Sequence, residues 1–268
     1  PGYGVVIGAP PFNAAGQPRI SSVDGNITVR GLRQAGEGTG FGSGPGAGVR
    51  VGGNAQITTT GRGDIEITGE MQGRGAGVEL APTFSDTFGT QQGGIVAGGR
   101  NVVLRAANDG SADALSLGVG SQASAAAVMN LRPGGINLAG APDAYVATPV
   151  DRTANPITLG AGAATGFAVS ADEFTRISAP TLVFGSNAHA ADITVVGAIN
   201  TGSALTLQNG GGGNIALNAP VTAPTLGLIS AGNITQPATA PITAGTLLAS
   251  SSGGNVLLDR AANNVSAA

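Results

Sequence analysis

From about Ser111 onward, one short phrase recurs along the chain. Apolar residues alternate with small or polar ones for four or so positions, and Gly, Ala, Asn, Pro and Ser fill the intervals. One series of first apolar residues is Leu115, Ile136, Ile157, Leu182, Leu205, Leu226 and Leu247, spaced 21, 21, 25, 23, 21 and 21. A second series interleaves with it at Ile193, Ile215, Ile234 and Val256, spaced 22, 19 and 22. Alternation with period two marks a strand with one buried face. The intervening residues favour turns and suppress helix, and no long window carries a helical apolar stripe free of Gly. Short strands at a constant period, without helices between them, predict an all-β fold, a parallel β-helix with rungs of about 21 residues. A single rung cannot bury its own aliphatic side chains; stacking places each against its equivalent one turn above and below. The pattern predicts inward positions for Ile136, Ile157, Leu205, Ile215, Leu226, Leu247 and Val256. It also predicts that Leu226→Asp disrupts neighbouring rungs while Ala223→Asp is better tolerated. A uniform period gives roughly 12 rungs and a rod of about 60 Å at about 4.8 Å per rung.

Upstream the rhythm loosens. Apolar bursts stand at Ile27–Val29, Val49–Val51, Ile57, Ile65–Ile67, Val78–Leu80 and Val102–Leu104, separated by AGEGTGFGSGPGAG and APTFSDTFGTQQGG. The same solenoid with insertions is expected over 1–110, continuous with a regular repeat region over 111–268. Insertions in solenoids map to surface loops, so binding specificity is expected in 33–48 and 82–94.

Composition agrees with a repetitive core and removes several alternatives. Charged residues make up 10% and aromatics 3%, against 41% hydrophobic residues and 47 glycines. This is too aliphatic for a disordered chain, and Gly lacks the strict triplet of collagen. There is no Cys, hence no disulfide framework or thiolate metal site, and all 12 basic residues are Arg. A net charge of −3 without a basic patch argues against nucleic acid as a partner. No apolar run approaches the roughly 20 residues of a transmembrane helix. The sequence begins at Pro1 without Met or a leader, so a processed or truncated piece of a longer protein is expected. Pro1 to Ile7 could start an end cap. The final GGNVLLDRAANNVSAA still reads as a rung, so the rod is expected to continue in the native chain or to dock on another copy.

Few motifs carry chemistry. Arg62-Gly63-Asp64 spells a tripeptide that integrins read in some adhesins, and it is the one candidate receptor-binding site. Its structural reading is a turn and strand start parallel to Gly25-Asn26-Ile27 and Gly213-Asn214-Ile215. Asn26-Ile27-Thr28, Asn233-Ile234-Thr235 and Asn264-Val265-Ser266 match the glycosylation acceptor pattern, but also a rung corner where an amide can bond an equivalent residue above. A polysaccharide-cleaving enzyme on the same scaffold would need clustered carboxylates. The closest groups are Asp64, Glu66 and Glu70, with Asp64 and Glu66 outward on one strand, and Asp172 with Glu173; a solvated face is the expected explanation. His189 is the only histidine, leaving no zinc cluster. No G-x-S-x-G, P-loop lysine or repeated Asp calcium motif is present, and Thr58-Thr59-Thr60 does not recur at the period. No catalytic residue, metal or cofactor is expected.

The stretch GNIALNAPVTAPTLGLISAGNITQPATAPITAGTLLASSSGGNVLLDRAANNVSA resembles the repeat region of filamentous-haemagglutinin-type exoproteins of Gram-negative bacteria, exported by two-partner secretion. LGLISAGNIT, ITAGTLLASSSGGNVLL and AANNVSA carry the resemblance, which spans about Gly134 to Ala268. It implies a right-handed β-helix, secreted or held at the outer cell surface, and an outer-membrane transporter as export partner. It further implies adhesion, biofilm or fibre roles, with a host or matrix ligand or further copies of the chain as partners.

Overall fold

The computed structural model describes residues 4–8, 18–34, 46–81, 93–109, 112–139, 146–160 and 166–268. The chain is a parallel β-helix whose strands visit three faces in turn. The first face begins with Val5–Ile7, Gly46–Gly52, Gly75–Ala81 and Leu115–Leu117. The second holds Arg19–Ser22, Gln56–Thr59, Ile95–Gly98, Gln122–Ala125 and Ile177–Ser178. The third, longest face runs through Ile27–Arg33, Ile65–Met71, Asn101–Asn108, Val128–Ala139, Thr181–Ser186, Ala204–Asn209, Val221–Ser230, Ile242–Ser251 and Asn264–Ala267. A fourth sheet, from Phe167–Val169 to Val256–Leu257, meets the first through the parallel bridge of Asp113 with Gly166 and so extends that face.

The third face carries the core as in-register ladders. One inward column is Ile27, Ile65, Val102, Met129, Leu182, Leu205, Leu226 and Leu247, each paired with the next. Two residues along, Val29, Ile67, Leu104, Leu131, Phe184, Leu207 and Leu228 form a second. On the fourth sheet, Ile157, Ile193, Ile215, Ile234 and Val256 stack likewise. Aliphatic side chains fill such a column without bulk, because each meets an equivalent neighbour about 4.8 Å away. Each buried Leu or Ile contributes roughly 1.5–3 kcal/mol before conformational entropy opposes it.

Several sequence expectations need correction. The second series and the last four members of the first do stack, but Leu115, Ile136 and Ile157 belong to three other places. Leu115 pairs with Val78 on the first face, Ile157 stands in the fourth-sheet column between Phe167 and Ile193, and Ile136 pairs antiparallel with Pro149 in a hairpin outside the main core. Equal spacing there reflects different strands recurring at similar intervals. Val256 continues the inward column of its sheet in register with Ile234 but is 42% exposed, since no strand lies beyond it there among the described residues. Leu247 is only partly buried, because the last strand, Asn264–Ala267, pairs with its strand no further than Thr246. Ala223 is 4% exposed and part of the core, because Val221–Ser230 spans two faces and points Val221 and Ala223 inward before its bend at Pro224. It is therefore not a tolerant site.

The 21-residue rung holds from Leu205 to Leu247, where the inward column advances 21 residues per step. Upstream, Ile27 to Ile65 and Ile65 to Val102 take 38 and 37 residues. The step from Met129 to Leu182 takes 53 residues, because a hairpin and an out-of-order strand intervene. Ile157–Leu159 lies between Phe167–Val169 and Ile193–Val195, ahead of its place in the chain. The third face thus stacks nine strands among the described residues, not 12, and eight steps of about 4.8 Å give about 38 Å.

A glycine seam sets the closeness of the first and third faces. Gly31 and Gly69 occupy equivalent positions on the third face, and Gly48 and Gly77 on the first. A Cβ on Gly69 would overlap Gly77 O, and one on Gly48 would overlap backbone of Glu70. Only hydrogen fits where these two backbones touch.

Among the described residues the one helical turn is Ala171–Phe174, closed by a capping box in which Ser170 Oγ accepts from Glu173 N and Glu173 Oε2 accepts from Ser170 N. The phrase Ser170-Ala171-Asp172-Glu173 spells that box, so the signal was available in the sequence.

Candidate functional site: the outer third face

Outward positions on the third face alternate with the core columns. Thr28, Glu66, Val103 and Asn130 form one outward column, followed by Val183 and Thr206. Beside it stand Arg30, Thr68, Arg105 and Arg132. Over this second column folds an arm made by the end of Val128–Ala139 paired antiparallel with Val146–Asp151.

Charge holds the arm in place. Arg105 Nη1 lies 2.6 Å from Glu66 Oε1, and Arg105 Nε and Arg132 Nε each lie 3.0 Å from Asp151 Oδ1. Arg152 Nη2 donates to both oxygens of Glu70 at 2.8 Å, and Ile136 N donates to Glu70 Oε2 at 2.7 Å. Arg30 Nη1 donates to Ala147 O at 3.1 Å. The planar guanidinium suits this multiple pairing better than a lysine ammonium would, which gives the exclusive use of Arg a physical reason. Glu66 and Glu70 are therefore not a solvated face, as their spacing suggested; each is tied to an arginine, and Glu70 is buried. His189 is buried close to this network, and burial holds its imidazole below the usual range while Asp151 opposes the shift.

Glu70 is the keystone of the arm. Glu70→Ala leaves Ile136 N–H without its acceptor and Arg152 without its partner, a loss of about 3 kcal/mol confined to the arm. Trypsin should then cut after Arg152 much faster, while the core strands melt as before. An unchanged cleavage rate would show that the arm is held by something else.

The candidate tripeptide forms the corner leading into the second strand of the third face, stacked on Asp24-Gly25-Asn26. Arg62 N donates to Asp24 Oδ1 and Asp64 N to Asn26 Oδ1, both at 2.9 Å. Gly63 is buried against Gly25 O. Asp64 accepts from Arg100 Nε at 2.9 Å and Nη2 at 2.6 Å, and from Asn101 N at 3.2 Å. The Arg100 bonds hold its carboxyl below the usual carboxylate range, against the opposing effect of burial. Both carboxylate oxygens are thus engaged within the chain, while the Arg62 side chain is exposed.

The same corner device recurs downstream. Asn214 N donates to Asp192 Oδ1, Asn233 N to Asn214 Oδ1 and Asn255 N to Asn233 Oδ1, at 2.8, 2.9 and 2.9 Å. Asn26 and Asn233, both in glycosylation-like triplets, are rungs of such ladders; Asn264 instead pairs with Thr243 in the last strand of the third face.

A second buried charge site joins the first face to the fourth sheet. Asp113 bridges Gly166, and its carboxyl is pushed up to about 8 by burial and by the nearby Glu173. Glu173 accepts from Leu117 N at 2.8 Å, so it binds the helical turn to the strand beneath. Because the folded carboxyl keeps its proton to about pH 8 and the unfolded one loses it near pH 4, stability contributed by this group falls as pH rises between those values. Asp113→Asn removes that slope, at about 1.4 kcal/mol per pH unit for one proton. Urea melts at pH 5 and pH 8.5 should show the variant gaining on the native chain at the higher pH. An equal difference at both would refute the assignment.

Among the described residues, no three His, Cys, Asp or Glu side chains come together as a metal site, and no helix is long and apolar enough to cross a membrane. The loops expected to carry specificity lie mostly outside the described residues, at 35–45 and 82–92; Gly46–Gly48 belongs to a strand of the first face. The start of the suggested cap, Pro1 to Tyr3, also lies outside, while Val5–Ile7 pairs with Val49–Val51 as an ordinary strand. No family model, curated protein or solved structure matches this chain.

Proposed function

We propose that this chain is a stretch of non-enzymatic β-helix displayed outside the cell, of the filamentous-haemagglutinin type, serving adhesion, biofilm matrix or fibre structure. The observation that carries the reading is the fate of the carboxylates on the outer third face. Asp64, Glu66, Glu70 and Asp151, the groups best placed for acid and base chemistry, are each paired with arginine in holding the rungs or the arm. A general acid or nucleophile needs a carboxyl able to meet a substrate and change its protonation. What remains is a long, regular surface on a scaffold without cysteine. In this reading an outer-membrane transporter passes the chain out unfolded, and stacking of rungs follows outside. A host or matrix ligand then meets the surface, with the segments 33–48 and 82–94 and the exposed Arg62 as candidate contacts.

The test is a paired assay on one preparation. Adhesion to immobilised matrix and cell layers is expected, with no sustained product release from anionic or neutral polysaccharides. Steady turnover of any polysaccharide would replace this reading by a lyase or hydrolase on the same scaffold.

A further inference from the structure

Beside the arm, a groove of about 450 Å³ crosses the outer third face over four consecutive strands. Its floor is the column Thr28, Glu66, Val103 and Asn130, and its flank is the corner row Asn26, Asp64 and Asn101. We propose that this groove binds a linear, uncharged, hydroxyl-rich glycan laid along the rod axis. The inference rests on the adhesive reading above and names its ligand class.

Three observations select that chemistry. First, the charges in the groove are already compensated: Asp64 is held by Arg100 and Glu66 by Arg105, so little net charge remains to recruit an ionic ligand. Second, hydrogen-bonding capacity is left over at rung spacing. Asn26 Oδ1 accepts from Asp64 N, and Asn101 Nδ2 donates to Asp64 Oδ1. Neither Asn26 Nδ2 nor Asn101 Oδ1 takes a partner among the described residues. Asn130 donates from Nδ2 to Gly185 O at 3.1 Å, while its buried Oδ1 has no partner. Thr28 adds an exposed hydroxyl, so donors and acceptors repeat along the groove. Third, Val103 and Val128 place apolar surface among these polar groups, the mixture that the C–H face and hydroxyl rim of a sugar ring would meet.

An extended peptide fits less well. The groove runs across the face of a sheet, not along an edge: of its four strands only Ile27–Arg33 ends that sheet among the described residues, and a strand added there would lie beside the groove and not in it. A glycan needs no edge, because its hydroxyls offer donors and acceptors along its whole length. The ion-paired arm stands over the next column, beside the groove.

The test is calorimetric titration of the intact chain with cellohexaose, xylohexaose and mannohexaose, with polygalacturonate as the charged comparison. Binding of at least one neutral hexasaccharide is expected. Val103→Arg, which fills the floor from outside the core, should weaken it at least tenfold with unchanged thermal melting. Should that variant fail to fold, Thr28→Arg, at the exposed end of the same column, takes its place with the same expected loss. No binding of any neutral hexasaccharide, tighter binding of polygalacturonate, or binding insensitive to the folded variant would overturn the proposal. If the chain adheres to cell layers yet binds none of the three, the groove assignment fails and the adhesive reading stands. If a bound hexasaccharide is cleaved, the groove stands and the non-enzymatic reading fails.

Discussion

Gly69→Val is expected to be among the most damaging single substitutions in this chain. The new Cβ would overlap Gly77 O and press on the Val78 side chain, in a seam where backbone faces backbone. A flexible side chain can move aside, but here strands of two facing sheets must separate. Overpacking alone commonly costs about 1–3 kcal/mol, and a backbone obstacle belongs at or above the top of that range. The expected result is a loss of about 3 kcal/mol or more in urea denaturation, read on the N-terminal rungs. Gly227→Val is the control: its Cβ would meet only the Thr206 side chain on the outward side, so it should cost much less. Equal losses for the two variants would mean that the seam does not set the approach of the faces.

Leu226→Asp is expected to have a comparable or larger effect in the C-terminal rungs. Leu226 is fully buried between Leu205 and Leu247, so the substitution forfeits its burial and places a carboxylate among aliphatic side chains. The two contributions together give about 5 kcal/mol, enough to open the rungs around it. Thr225→Asp, next in sequence but only half-buried, is the fair comparison and should cost under about 1 kcal/mol. Ala223→Asp belongs with Leu226→Asp, since that alanine points into the same core. Hydrogen exchange should show the damage spreading to strands stacked on Leu226 and fading with each rung, as nearest-neighbour coupling requires. A loss confined to Leu226 itself would contradict the ladder.

The sequence carried the architecture because the solenoid repeats its demands locally. Alternating aliphatic residues at Leu182, Leu205, Leu226 and Leu247 name both the strand and the register, since each rung buries the same position of the next. Where the chain departs from repetition, spacing misleads. Ile136 keeps the 21-residue rhythm but sits in an antiparallel arm, because the strand simply runs on past the sheet corner. The arm itself was not legible: it joins Glu70 to Arg152 across 82 residues, and no local pattern records such a pairing. The scarcity of charge was the available clue, since ten of the 12 arginines precede Thr153 and most of the outer carboxylates they reach lie in that half. The corner ladders were half legible. Gly-Asn-Ile and Gly-Asp-Ile read as equivalent turns, but the bond from each amide or carboxylate oxygen to the next rung's N–H depends on how corners stack, which no local pattern records. Ala223 was misread because Pro224 bends its strand across two faces, which breaks the alternation that assigns inside from outside.

The central claim is that one outward column runs unbroken along the third face, from Thr28 through Glu66, Val103, Asn130, Val183, Thr206 and Gly227 to Leu248. Nitroxide labels on cysteines placed at Thr28 and Leu248 test it by pulsed electron resonance, with no native Cys to interfere. Seven steps of about 4.8 Å predict a single, narrow distance near 34 Å, widened only by the label arms. A distance beyond about 50 Å, or a broad distribution without a peak, would contradict the stacked column and with it the β-helix described here.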